Sequence, residues 1–170
     1  FVGDDAEMRL FKEYEQHMHV IQDGSIKVFH DTLNGFEFAQ KMNKPVLLDF
    51  TGYSCENCRK TESRIWLDKT IKPMLQNDFV IVSLYVDDKE LLPESEQYYS
   101  EESNGKIKTV GNKWADYQIK RYKQISQPLY IIVDPADGQD LTAPRGYDSS
   151  VEGYREYLEK GLRRFHERRN

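Results

Sequence analysis

Apolar and polar positions along this chain fall into blocks whose period changes several times. From Met8 to Ile21 the apolar residues Leu10, Phe11, Tyr14, Met18 and Ile21 recur at three- and four-residue steps among charges, which predicts an amphipathic helix. The stretch QDGS predicts its end. IKVFHD, residues 26–31, alternates like a short strand, and TLNGFEFAQKMNK predicts a helix stopped at Asn43, ahead of Pro45. PVLLDFT, residues 45–51, is a continuous apolar run with one carboxylate inside it. FVIVSLYVDD, residues 79–88, has the β-branched and aromatic content of a central strand. Residues 88–113 are polar, contain Pro93, Gly105 and Gly111, and read as a long surface insertion. A helix around Trp114 to Tyr122 follows, then SQPLYIIVDPADGQ, a strand entered through proline and left through an Asp-Gly turn. Val151, Tyr154, Leu158, Leu162 and Phe165 mark one face of a terminal helix.

Strands alternating with helices, and apolar runs without polar alternation, predict an α/β fold whose central sheet is covered on both faces. A length of 170 residues suits one core with appendages rather than two full domains. The net charge of -5 leaves no basic stripe for phosphates, so nucleic acid is not an expected partner. RRFHERR, near the end, reads as a solvated helix terminus where cations suit the dipole. No apolar run is long enough to span a bilayer. The chain starts at Phe1 rather than Met, which suggests a processed or excised piece from which targeting information has been cut.

Both cysteines lie in FTGYSCENCRKTE, residues 50–62. Two cysteines in so long a chain do not make a disulfide scaffold, so a bond between them is expected to serve chemistry. Good helix formers from residue 55 onward place Cys55 at a helix N-terminus, with Cys58 one turn further in. Unpaired backbone N–H groups there stabilise the thiolate of the first cysteine, the nucleophile of disulfide exchange. The second lies close enough to attack the mixed disulfide and release the partner. Two other readings stand beside this one. A metal site needs further ligands, and His17, His19, His30 and His166 are far away without matching spacing. Two small buried residues at helical spacing form the structural alternative.

Three features favour the redox reading. Asp49 lies in VLLDF, six residues before Cys55, where burial is costly unless the carboxyl is neutral or functional. With its pKa raised by desolvation and a nearby thiolate, it would take the proton from Cys58 as that thiol attacks. Glu62, on the same helix face as the cysteines, either adds to this control or is a solvated helix residue. Pro128 stands at a strand entrance, where a cis peptide would offer an extended edge to a substrate backbone and an ordinary turn is the plain alternative.

The blocks KPVLLDFTGYSCENCRKTE, FVIVSLYVDD, QPLYIIVD and GYREYLEKGLRRF, spanning roughly residues 26–165, resemble the thioredoxin superfamily. Within it they are most similar to the C-terminal periplasmic domain of the transmembrane thiol:disulfide interchange protein DsbD, in its Bacteroidetes-like form. The resemblance implies a thioredoxin-like fold: a central mixed sheet flanked by helices, with an extra N-terminal helix and a long insertion before the penultimate helix. It implies residues 1–25 as helix or linker from a preceding membrane segment, and 26–170 as the thioredoxin-like domain with insertion 88–113. It further implies Cys55 as attacking thiol, Cys58 as resolving thiol, and Asp49 and Glu62 as acidic tuners. Pro128 would face the motif, with Gln127, Tyr53 and Ser54 beside it on the substrate-facing surface. The activity implied is protein-disulfide reduction without cofactor or metal, in the periplasm, as a soluble domain of an inner-membrane protein. Its partners would be a membrane-embedded electron donor and periplasmic thiol-disulfide acceptors.

Ser54 before the first cysteine and Glu56-Asn57 between the pair depart from ordinary thioredoxins, which carry tryptophan and Gly-Pro there. Glu56, Asp49 and Glu62 oppose the thiolate that the dipole favours, so a reducing couple is expected. The competing readings are a freestanding periplasmic thioredoxin-like reductase, for example one serving cytochrome maturation, and a non-catalytic binding module on the same fold.

Overall fold

The structure, a computed structural model, describes residues 3–21 and 24–170. In chain order its elements are α1 (Asp5–Tyr14), β1 (Met18–Ile21), β2 (Ile26–Phe29), α2 (Thr32–Met42), β3 (Val46–Thr51), α3 (Glu56–Arg64), α4 (Lys72–Asn77), β4 (Val80–Tyr85), β5 (Tyr98–Ser100), β6 (Gly105–Ile107), α5 (Val110–Tyr122), β7 (Leu129–Val133) and α6 (Val151–Glu167). Five strands form one mixed sheet in the order β1-β2-β4-β3-β7. β2, β4 and β3 run parallel, while β1 and β7 lie antiparallel on the two sides.

Period-two alternation on the central strands divides the core into two layers. Leu47, Ile81 and Ile132 face α3, α4 and α6 with Ile65, Trp66, Tyr154 and Phe165. Their neighbours Leu48, Val82 and Ile131 face α1, α2 and α5 with Phe38 and Trp114. Every residue of β3, β4 and β7 is buried, as expected of strands covered on both faces. α2 ends where the sequence places its stop: Asn43 takes the left-handed conformation at φ 54°, and its N–H returns to the Ala39 and Gln40 carbonyls.

The N-terminal helix is shorter than the apolar spacing predicts. A capping box between Asp4 and Glu7 starts it, it ends at Tyr14, and a turn of 3-10 helix over Glu15–His17 leads into β1. Met18 and Ile21 belong to a strand paired with β2, in register from Met18↔Phe29 to Ile21↔Ile26. Met18 packs into one core layer and Ile21 into the other. A three-residue step thus served opposite faces of a strand, a distinction that only the pairing with β2 makes. His17 and His19, within the span predicted as helix, lie instead in the 3-10 turn and on β1. The expected QDGS stop includes residues 22 and 23, which lie outside the described residues; Gly24 follows at φ 84°.

The insertion carries its own structure. β5 and β6 form a hairpin, and α5 begins at Val110, four residues before the expected Trp114, behind a Thr109–Asn112 capping box. Tyr98, Ser100 and Ser103 each donate a hydroxyl hydrogen bond to Asp116 of α5, and Lys120 pairs with the same carboxylate. Apart from the buried Ile107, this hairpin is anchored by a buried acid rather than by apolar side chains, so its composition reads as loop. Gly111 seats α5 against the loop after β4: a Cβ there would lie 2.6 Å from the Asp88 nitrogen and the Val86 oxygen.

Candidate active site

β3 ends at Thr51, and residues 52–55 turn the chain into α3. The turn is held from β4's far side, where the Asp87 carboxylate accepts the Tyr53 N–H at 2.8 Å and the Ser54 N–H at 3.0 Å. Tyr53 stacks on Tyr85 at 4.1 Å between ring centroids and is 60% exposed. Tyr85 at the end of β4 and Asp87 just after it thus clamp the loop that presents Cys55.

Cys55 is the N-cap of α3, and its Sγ accepts the Cys58 N–H at 3.2 Å. The two cysteines are joined by a disulfide, with Cα atoms 5.2 Å apart. Cys55 is partly exposed whereas Cys58 is fully buried, so only Cys55 is open to a partner. Once reduced, the Cys55 sulfur sits where the first-turn N–H groups favour negative charge.

Beneath α3, Asp49 occupies the middle of the sheet, opposite Ser83 on β4 and Tyr130 on β7. It is 1% exposed. Ser83 donates to its Oδ2 at 2.7 Å, while Oδ1 has no hydrogen-bond partner among the described residues. Burial pushes its pKa up to about 7, with the Glu62 carboxylate adding to the rise and the Ser83 hydroxyl and Arg59 opposing it. A carboxyl poised there exchanges a proton at neutral pH.

Glu62 is buried, not solvated, and Arg59 pairs with it at 2.8 Å. The same guanidinium donates to Thr51 Oγ1 at 3.0 Å, tying α3 to the end of β3. Arg59 and Asp87 are site residues that the sequence reading missed. Arg59 was detectable as the i,i+3 partner of Glu62, since a buried acid calls for a cation one turn away. Asp87 had no local signal, because its partners are 33 and 34 residues away.

The peptide bond between Gln127 and Pro128 is cis. The Gln127 amide donates to Gln118 Oε1 and to the Ile125 carbonyl, both at 2.8 Å, which ties the approach to β7 to α5. Glu62 lies near enough to Asp49 for its charge to act on that carboxyl, and Tyr53 and Ser54 share the Asp87 clamp. Among the described residues no cluster of His, Cys, Asp and Glu is arranged to hold a metal ion, and no helix is long and apolar enough to cross a membrane.

Residues 35–162 match the family model described as "Thioredoxin-like domain". Among solved structures, the chain is similar to one titled "DsbH Oxidoreductase", at TM-score 0.56 and 17% identity over 85% of this chain and 92% of that one. It is also similar to a thioredoxin from Thermus thermophilus, at TM-score 0.54 and 16% identity over 77% of this chain and 83% of that one. No curated protein matches the sequence.

Proposed function

Because this chain belongs to the thioredoxin-like domain family, we propose that it is a protein-disulfide reductase, relaying electrons through Cys55 and Cys58 in the manner of the DsbD C-terminal domain. The observation that carries this reading is the asymmetry of the pair: a partly exposed Cys55 at a helix N-terminus, a buried Cys58, and a buried carboxyl, Asp49, on β3, the strand that leads into the motif. A metal site or a purely structural pair requires none of these together.

In the reduced protein, the Cys55 thiolate attacks one sulfur of a client disulfide. The client S–S bond breaks, an S–S bond to Cys55 forms, and a client thiolate leaves. Asp49, in its ionised form, takes the proton of Cys58, whose sulfur then attacks the Cys55 sulfur. The mixed disulfide breaks, a second client thiolate leaves, and the Cys55–Cys58 disulfide remains. Two electrons have passed from the dithiol to the client. The oxidised protein is then reduced by a dithiol donor, for which the sequence resemblance supports a membrane-embedded domain, with the exchange taking place in the periplasm.

Glu56, exposed between the cysteines with Lys60 at 4.0 Å, puts a carboxylate in the motif, which supports the reducing direction. Arg59 tempers the same effect from Glu62 by pairing with it. The test is trapping. Cys58→Ser should accumulate a mixed disulfide between Cys55 and an oxidised peptide, whereas Cys55→Ser should accumulate none, because Cys58 is buried. Trapping through Cys58 instead of Cys55 would reverse the assigned roles.

A further inference from the structure

Beside the active-site turn lies a cavity of about 470 Å3 to which the exchange chemistry assigns no role. The buried Tyr85 and Trp114 line it together with the exposed Tyr53 and Glu90, and Arg59 and Asp88 complete its charged lining.

Two independent observations define what fits there. The first is charge. Two carboxylates face one guanidinium, and Glu62 already holds that guanidinium. His19 and His30 are also in the lining, and His19 adds no cation at neutral pH: burial, with His30 and Arg59 nearby, pushes its pKa down to about 4. Asp87, Asp88 and Glu90 all act on Tyr53, whose hydroxyl pKa they raise in addition to the effect of burial. Asp87 has both carboxylate oxygens committed to backbone N–H groups, whereas Asp88 commits only Oδ1, to the Glu90 N–H, which leaves its Oδ2 and the Glu90 carboxylate for a ligand. Lys89, between them in sequence, is not part of the lining. The second observation is hydrogen bonding. Trp114 is 4% exposed, and its indole Nε1 finds no acceptor among the described residues; nor does Nε of Arg59. A simple cation satisfies the carboxylates and leaves both donors unmet, whereas a peptide brings a cation and carbonyl oxygens together.

We propose that this cavity is a client subsite for a lysine or arginine side chain adjacent to the client's reactive cysteine. The cationic head lies at Asp88 and Glu90 over the open face of Tyr53, and client carbonyls accept from Trp114 and Arg59. This assignment rests on the exchange reading above, and its tests separate the two.

Three cystine peptides that differ only in lysine, glutamine or glutamate beside the cysteine are offered to the reduced protein. The expected second-order rates favour lysine over glutamate by roughly fivefold to tenfold at low salt, with the preference shrinking at high salt. In Asp88→Asn/Glu90→Gln the lysine-to-glutamate ratio should fall toward one; Asn retains the acceptor for the Glu90 N–H that Asp88 supplies at 2.9 Å. Binding is read separately with serine in place of the peptide cysteines, by following the indole N–H resonance of Trp114, identified by its loss in Trp114→Phe. The lysine peptide should shift it and the glutamate peptide should not. Equal rates for all three peptides with an unmoved indole signal overturn the subsite and leave the exchange reading standing. An indole shift with the lysine peptide but no exchange of any peptide overturns the exchange reading, and with it the client role, while the cavity stands as a site for a cationic peptide. A ratio that survives the double substitution also overturns the subsite.

Discussion

Replacing Asp49 by asparagine removes one ionisable group from the centre of the sheet with little change of shape. The acceptor for the Ser83 hydroxyl is kept. In the unfolded chain this carboxyl ionises near 3.8, and in the folded protein near 7, because burial disfavours its charge. Folded protein therefore binds a proton that unfolded chain has released over that interval. Stability contributed by the neutral carboxyl is full below about pH 4, declines as pH rises, and is lost above about pH 7. A rise of about 3 pKa units at ~1.4 kcal/mol each amounts to roughly 4 kcal/mol. Asparagine carries no such loss. The assay is urea unfolding of oxidised wild type and Asp49→Asn between pH 4 and 8.5, with the Cys55–Cys58 disulfide intact. The variant should gain on the wild type by about 3–4 kcal/mol across that range, with most of the gain between pH 4 and 7. A difference constant to within ~1 kcal/mol would refute the raised pKa of Asp49, and with it the proton exchange near neutral pH on which its role rests.

Further consequences concern the groups around the motif. Arg59→Gln withdraws the cation from the buried Glu62 and should cost about 2–3 kcal/mol, less than for a fully buried pair because Arg59 is partly exposed; urea unfolding at neutral pH measures it. Asp87→Ala releases the Tyr53 and Ser54 N–H groups and should lower stability by about 1–2 kcal/mol while slowing exchange at Cys55, which separates it from an ordinary surface change. Gly111→Ala forces a Cβ against the backbone of residues 86–88, so it should cost more than 2 kcal/mol on the scale of ~1–3 kcal/mol for overpacking, and shift the amide resonances of Tyr53 and Ser54. The resolving step should accelerate as pH rises through about 7 in wild type, where Asp49 becomes able to accept a proton, and Asp49→Asn should remove that rise; single-turnover kinetics of the mixed disulfide read it.

Much of this architecture was legible from local patterns, for reasons specific to each element. β3, β4 and β7 show as apolar runs because helices cover both of their faces, and the stop of α2 shows because Asn43 can take a left-handed conformation. Cys55 at a helix start follows from the residues after it, and the burial of Asp49 from the apolar run around it. What escaped depends on distant partners. β1 looks like helix until β2 pairs with it, and the β5–β6 hairpin looks like loop because Asp116, a carboxylate, is its anchor. Asp87 reaches back across more than thirty residues to hold the active-site turn, a relation no spacing rule encodes. Arg59 was within reach, since a buried glutamate one turn along a helix implies a cation to meet it.

The central claim is that Cys55 and Cys58 form a reversible, reducing couple. A redox titration in defined dithiol buffers, with free thiols on both residues counted by alkylation and mass, tests it most directly. The account predicts a single two-electron transition well below the roughly -120 mV of a strong oxidant. Failure to form the intramolecular disulfide at any poise, or a transition near that of strong oxidants, would contradict it.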